Sequence, residues 1–195
     1  MLVLGNILLI GLPLIPFALL GVWIAWTYNG LVRRRQFVKE AWSAIDTELQ
    51  RRHDLVPNLV ETVKGHAAHE SGLFEAVATL RNRAAADRAG SADASQQAVD
   101  EQELTVAVGK LITVAEAYPD LKASDRFADL QRELSETETR ISKARRFYNA
   151  NVEKLNTAVA SVPTNVVAGV FGFRKAAYFE AEDRSTPHVD FGDRS

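Results

Sequence analysis

The stretch from Tyr28 to Glu70 decides the fold of this chain, and its central part reads Arg51-Arg52-His53-Asp54-Leu55-Val56-Pro57-Asn58-Leu59-Val60-Glu61-Thr62-Val63-Lys64-Gly65. Apolar residues recur along it at steps of three and four, or sums of these: Val38, Trp42, Ile45, Leu49, Val56, Leu59 and Val63. This spacing is typical of an amphipathic helix. Pro57 should break such a helix, because it lacks the backbone N–H and clashes with the carbonyl four residues back. The apolar phase nevertheless holds across Pro57, so we predict one helix that is kinked near His53 to Pro57 and ends near Glu70.

An apolar segment precedes this helix. Every residue from Ile7 to Trp26 is apolar, Gly or Pro, and the first charged side chain is Arg33. About twenty helical residues rise about 30 Å, which is the thickness of the hydrocarbon core of a bilayer. A cleaved signal peptide is disfavoured, since no basic region precedes the segment and no small-residue cleavage site follows it. We therefore predict a transmembrane anchor over residues 1–28.

Charge predicts the orientation of this anchor. Basic side chains follow it directly and none precedes it, so the positive-inside rule places the N-terminus outside and the C-terminal domain in the cytoplasm. Aromatic residues before the arginines match an interfacial belt. The predicted membrane-interface residues here are Trp23, Trp26, Tyr28, Arg33, Arg34 and Arg35.

Three further helices are predicted from turn and capping residues. Their bounds are Gly72 and Gly90 for the second helix, Asp93 and Pro119 for the third, and Ser124 and Pro163 for the fourth. Short connections favour antiparallel neighbours. We predict an all-α fold, in which the transmembrane helix is followed by an antiparallel up-down-up-down four-helix bundle over residues 29–163, with long first and fourth helices. Residues 182–195 are a polar tail that we predict to be disordered.

Residues 164–181 form an apolar closing segment with two interpretations. The first is that the fourth helix returns to the bilayer, where Phe171 and Phe173, followed by Arg174 and Lys175, contact the membrane interface. The second is that the segment completes a protein core, which is the commoner fate of apolar closing segments.

Several strings of residues are more specific than helical periodicity. They are Tyr28-Asn29-Gly30-Leu31-Val32, Ala41-Trp42-Ser43-Ala44-Ile45-Asp46, Arg51 to Gly65, Tyr118-Pro119-Asp120-Leu121-Lys122-Ala123, Leu130-Gln131-Arg132-Glu133-Leu134, Ala144-Arg145-Arg146-Phe147-Tyr148-Asn149 and Tyr178-Phe179-Glu180-Ala181. Together they resemble the LemA family of bacterial membrane-anchored helical proteins. His66 departs from the family pattern, which has Tyr after Lys64-Gly65. The resemblance implies a single-pass protein of the bacterial inner membrane with a cytosolic helical bundle, and it implies no established activity.

Composition excludes several chemistries. The net charge of -2 gives no field for binding nucleic acid, and the absence of Cys excludes disulfides and thiol catalysis. No Ser-His-Asp spacing, nucleophile elbow or phosphate-binding glycine loop is present. We therefore predict a protein that is not an enzyme and has no cofactor. The alternative is a metal-binding sensor or enzyme that uses His66, His69 and Glu70, although a solvated helix end explains the same residues.

A dense set of polar residues surrounds Pro57 and is the predicted partner-binding surface: Arg51, Arg52, Asp54, Asn58, Glu61 and Lys64. The simpler interpretation is a solvated face with surface ion pairs, which are common and contribute little. The leading functional prediction is a protein-interaction or membrane-organising module whose partners are the lipid bilayer and an unidentified protein. A scaffold that assembles with copies of itself is a further alternative.

Overall fold

The computed structural model describes residues 2–67, 69–90 and 92–180, with side chains from residue 15 onward. In these ranges the chain forms six helices and no strand, so the predicted all-α class is confirmed. The helices are α1 (Leu2–Lys64), α2 (Ser71–Ala89), α3 (Ala94–Glu116), α4 (Pro119–Lys122), α5 (Asp125–Ala160) and α6 (Thr164–Val170). The polar tail 182–195, predicted to be disordered, lies outside the described residues.

Helix α1 is a single helix of 63 residues that continues through Pro57. The prediction of one helix across Pro57 is therefore confirmed, and the predicted kink stays a prediction. The predicted end near Glu70 is wrong, because α1 ends at Lys64, directly before Gly65. Glycine is a poor helix former, and the carbonyl of Val63 is capped by the N–H groups of His66 and Ala67, both at 3.0 Å.

Pro57 leaves one carbonyl of α1 without its usual donor, and α2 supplies a replacement. In a regular helix the N–H of residue 57 would bond to the carbonyl of His53. Instead, the Arg81 Nε of α2 donates to the His53 carbonyl oxygen at 2.8 Å. The proline therefore opens a docking point for the neighbouring helix.

Local sequence signals set the other helix ends. The Asp93 side chain accepts a hydrogen bond from the N–H of Gln96 at 2.9 Å, as the predicted start of α3 requires. Helix α3 ends at Glu116, three residues before the predicted stop, because Tyr118 precedes a proline and is extended (φ -104°, ψ 105°). Pro119 then begins the short α4, since proline is favoured at the first helical position. Neither α4 nor α6 was predicted.

Two compact units divide the chain. The anchor unit comprises Met1–Thr47 and Ser142–Ala176, and the core unit comprises Glu48–Ile141 and Ala177–Ser195. In the core unit, apolar side chains of α1 to α5 form one buried cluster that includes Leu59, Val77, Leu104, Leu121 and Phe127.

The anchor unit has its own small cluster. Leu31 of α1 and Val167, Ala168 and Phe173 of the closing segment are buried together in it. Farther along α1, the rings of Trp42 and Tyr148 pack edge to face, with centroids 5.3 Å apart. Helix α5 therefore lies against α1 in this unit.

Candidate functional site

A buried network of charged groups joins three helices of the core unit. Arg52 of α1 is only 1% exposed, and its guanidinium pairs with the buried Glu101 carboxylate of α3. The same guanidinium donates to Glu138 Oε1 of α5 at 2.8 Å and to the Thr105 hydroxyl. Each charge is neutralised by direct hydrogen bonds, which a buried ion pair needs to avoid a large desolvation cost.

Glu101 is held ionised inside this network. Burial alone would raise the pKa of the Glu101 carboxyl, but the hydrogen bond with His53 and the charge of Arg52 outweigh it, so that its pKa is lowered. His53 Nε2 lies 3.0 Å from Glu101 Oε1. Arg52 Nε is buried without a hydrogen-bond partner among the described residues, but the other two guanidinium nitrogens, the carboxylate and the imidazole are engaged with one another or with Glu138. The network is therefore suited to fixing the positions of helices.

The remaining predicted partner-binding residues form a separate exposed surface. Arg51, Asp54, Asn58, Glu61 and Lys64 are all exposed, and the steps between them of three and four place them along one side of α1. We call these five residues the α1 polar stripe. Our expectation that Arg52 shares this surface is wrong, because its position belongs to the opposite, buried side with Val56, Leu59 and Val63.

His66, His69 and Glu70 do not lie on a helix. They belong to the connection between Lys64 and Ser71, so the expectation that they form the end of the first helix is wrong. Both histidines are exposed. Among the residues described, no three or more His, Cys, Asp or Glu side chains are grouped so as to hold a metal ion.

The predicted membrane-interface residues come together in part. The ring of Tyr28 packs on Phe171 and Phe173, with centroid distances of 4.9 and 5.7 Å. The guanidinium of Arg35 lies 5.1 Å from the centroid of Phe173. Trp23 packs against the same cluster, whereas Trp26 is 72% exposed. Phe173 is buried inside the cluster, so that only Phe171 of the two phenylalanines presents a large exposed surface.

The N-terminal part of α1 has the properties of a membrane span. Every described side chain from Ile15 to Val22 is exposed, and Phe17, Leu19 and Val22 are at least 64% exposed. By length and apolar composition, one helix in the described part of the chain can cross a membrane, and this is α1. Exposed side chains this apolar are suited to lipid rather than water.

Sequence reasoning missed Glu101, Thr105 and Glu138 as partners of Arg52. A signal was present, because Glu101 continues the apolar stripe of α3 at steps of three, four and three through Leu104, Val108 and Leu111. A carboxylate on an apolar stripe is buried with it and needs a basic partner. Arg52 likewise occupies a position in the apolar repeat of α1, four residues before Val56.

Comparison with known proteins adds a family and several relatives. A sequence model described as the LemA family matches residues 41–191. The chain is 26% identical to magnetosome protein MamQ 2 of Paramagnetospirillum magneticum, over 78% of this chain and 64% of that protein. It is 24% identical to magnetosome protein MamQ of Magnetospirillum gryphiswaldense, with the same coverage. It is 25% identical to protein LemA of Metamycoplasma hominis, over 83% of this chain and 73% of that protein. The chain thus spans 64% of the length of these magnetosome relatives.

Proposed function

The chain belongs to the LemA family, and from this premise we propose that it is a membrane-anchored helical module that binds a partner protein. One observation carries the proposal. Helix α1 is continuous from a fully exposed apolar segment to the α1 polar stripe, so that one element provides both an anchor and an exposed polar surface. The anchor would hold the module at a membrane, and the stripe would select the partner.

The proposed arrangement is single-pass, with the N-terminus outside and the helical module in the cytoplasm of a bacterial cell. Arg33, Arg34 and Arg35 support this orientation, because all three are exposed directly after the apolar segment. An antiparallel bundle is supported within the core unit by two ion pairs between α1 and α5. Glu48 pairs with Arg140 at 2.9 Å and Arg52 with Glu138 at 2.8 Å, so that numbers rise along one helix as they fall along the other.

We propose that the module acts without catalysis of its own. The buried ionisable groups Arg52, His53 and Glu101 are engaged with one another. A catalytic group needs access to a substrate, and these three residues are each no more than 3% exposed. Nucleic acid is disfavoured as a partner by the net charge of -2.

Photo-crosslinking in cells tests the partner surface. A photoreactive amino acid is placed in the full chain at Asp54 or Glu61 of the stripe. Lys110 is the control, because it is also exposed but lies on another helix, α3. The proposal predicts the same adduct with another protein from both stripe positions and its loss at Lys110.

Other adduct patterns would redirect or contradict this proposal. Adducts only with copies of this chain would support a self-assembling scaffold instead. If neither stripe position gives an adduct while the chain is folded and inserted in the membrane, the stripe is a solvated face and the partner proposal is wrong.

A further inference from the structure

Exposed apolar side chains lie on and beside the short helix α6, among which only Phe171 has a described ring contact, with Tyr28. Val162 is 81% exposed, Val166 64%, Val170 76% and Phe171 50%. Val166 and Val170 are four residues apart and therefore lie on one side of α6, while Val162 lies just before this helix and Phe171 directly follows it. We call these four residues the α6 apolar face. We infer that this face is a second membrane contact, which lies in the bilayer interface beside the anchor; the inference rests on the membrane anchoring proposed above.

The level of α6 along α1 is fixed by packing within the anchor unit. Val167 and Ala168, on the other side of α6, are buried against Leu31, with Trp23, Ile24 and Tyr28 packed around them. These α1 residues precede Arg33, the first charged side chain after the apolar segment. Residues 23 to 31 cover about 12 Å of helix, which is comparable with the depth of a membrane interface. If α1 spans a bilayer, α6 therefore lies at the edge of the hydrocarbon.

The exposure of α1 changes where α6 begins to cover it. Side chains from Ile15 to Val22 are all exposed, while Trp23 and Ile24 are partly covered. The α6 apolar face thus continues the exposed apolar surface of the anchor rather than forming an isolated patch. If a bilayer surrounds the exposed apolar segment of α1, the same bilayer also covers the α6 apolar face.

The turn after α6 is built to hold this position. Gly172 has φ 69°, a conformation that favours glycine, and the Phe173 N–H bonds to the Ala168 carbonyl at 2.9 Å. The amide of Asn156 then accepts from the Ala176 N–H at 2.8 Å and donates to the Ala176 carbonyl at 2.9 Å. Both ends of the closing turn are therefore fastened, one to α6 itself and the other to α5.

Charge next to the apolar face suits a lipid surface. Arg174 and Lys175 follow Phe171 closely and are exposed, as are Arg33 and Arg34 of α1. Basic side chains that flank an inserted apolar face attract the anionic headgroups of the cytoplasmic leaflet. The chemistry that fits this surface is therefore an apolar acyl boundary with anionic headgroups.

Site-specific labelling tests the inference, because the chain has no native cysteine. Single cysteines at Val170, Phe147 and Leu20 carry an environment-sensitive fluorophore in the full chain, reconstituted into vesicles of phosphatidylcholine and phosphatidylglycerol. Phe147 is the matched control, with 58% exposure on α5. It lies thirteen residues before the end of α5 at Ala160, about 20 Å along the helix. Leu20 reports the anchor.

The inference predicts that acyl-brominated lipids quench the Val170 label by at least about twofold and leave the Phe147 label unquenched. If the Val170 label is instead quenched by iodide as strongly as the Phe147 label, while lipid quenches Leu20, the inference is overturned and the anchor stands. If lipid quenches none of the three, the membrane anchoring itself is wrong and the inference falls with it.

A charge reversal tests the headgroup component separately. Arg174→Glu together with Lys175→Glu is expected to reduce lipid quenching at Val170 in anionic vesicles, and to have a smaller effect in pure phosphatidylcholine. Equal quenching before and after the reversal in anionic vesicles would overturn the assignment of anionic lipid to this surface.

Discussion

Arg52 shows how a single position can be charged and still belong to a core. It stands on the buried side of α1, and its guanidinium is neutralised by Glu101 and Glu138. Removing Arg52 leaves the buried Glu101 with only His53 beside it. Removing Glu101 leaves the buried Arg52 with only the partly exposed Glu138, whereas removing both takes both buried charges away. The network is therefore expected to be strongly coupled in its effect on the free energy of unfolding.

A double-mutant cycle measures this coupling. Arg52→Met and Glu101→Leu are each expected to destabilise the chain by about 3–5 kcal/mol, and the double variant by no more than either single one. Urea unfolding of the full chain in detergent, followed by circular dichroism, gives the free energies. Arg51→Met, at the exposed neighbouring position, is the control and should change stability by less than about 0.5 kcal/mol. Additive effects of the two core substitutions would contradict the coupling.

The lowered pKa of Glu101 predicts a dependence of stability on pH. Burial of the Glu101 carboxyl would raise its pKa, but the hydrogen bond with His53 and the charge of Arg52 outweigh this effect. A carboxyl whose pKa is lower in the folded state than in the unfolded state stabilises the fold. This contribution is complete at pH values above the unfolded-state pKa of about 4.3, and it is lost as the pH falls through the folded-state pKa. The free energy of unfolding should therefore fall below about pH 5 and keep falling toward acid.

Replacement of the Glu101 carboxylate measures how much of the loss of stability at low pH depends on it. Glu101→Gln should be less stable than the parent chain near neutral pH and should lose less stability between pH 5 and acid. Glu103→Gln is the control, because Glu103 lies on the same helix as Glu101 but forms an exposed ion pair with Arg83. This variant should lose as much stability in acid as the parent chain. Parallel curves for Glu101→Gln and the parent would show that Glu101 does not carry the effect.

At the scale of elements, Pro57 explains how α2 is joined to α1. A proline inside a helix removes one backbone donor, and here the orphaned carbonyl of His53 is used by Arg81. The residue that appears to interrupt the helix thus provides a specific acceptor for its neighbour. Helix α2 is further held against α1 by Arg88, which donates to the Gln50 side chain at 3.1 Å.

This arrangement makes the effects of Pro57 and Arg81 interdependent. Arg81→Met should destabilise the chain by about 1–3 kcal/mol, because it leaves the His53 carbonyl without a partner. In a Pro57→Ala background the restored N–H can bond that carbonyl, so the same change should cost clearly less. Arg132→Met, which removes an exposed ion pair with Asp129, is the control. An equal cost of Arg81→Met in both backgrounds would show that the carbonyl is not the point of docking.

Sequence periodicity predicted the helical class and the continuity of α1, because both depend on a repeated local pattern. It placed the Asp93 cap correctly, since that interaction spans three residues. It misplaced Arg52 although this residue stands on the apolar phase of α1, because the partners that allow a charge to be buried there, at positions 101 and 138, are remote in the sequence. It also missed α6, because seven residues are too few for a helical period to be recognised.

At the scale of the whole molecule, the proposed function requires α1 to be a membrane span that continues into the helical module. The exposed apolar segment of α1 is the proposed anchor, and the exposed arginines that follow it support the proposed orientation. The α1 polar stripe and the α6 apolar face acquire their proposed roles only if the anchor crosses the bilayer in this sense. The orientation is therefore the most direct test of the proposed function.

Cysteine accessibility in spheroplasts measures this orientation. Single cysteines at Asn6, before the apolar segment, and at Glu61, in the exposed stripe, are treated with a membrane-impermeant maleimide before and after permeabilisation. We expect Asn6→Cys to react in intact spheroplasts and Glu61→Cys to react only after permeabilisation. Reaction of Glu61→Cys in intact spheroplasts, with Asn6→Cys protected, would contradict the orientation. Reaction of both in intact spheroplasts would contradict a span with the module in the cytoplasm.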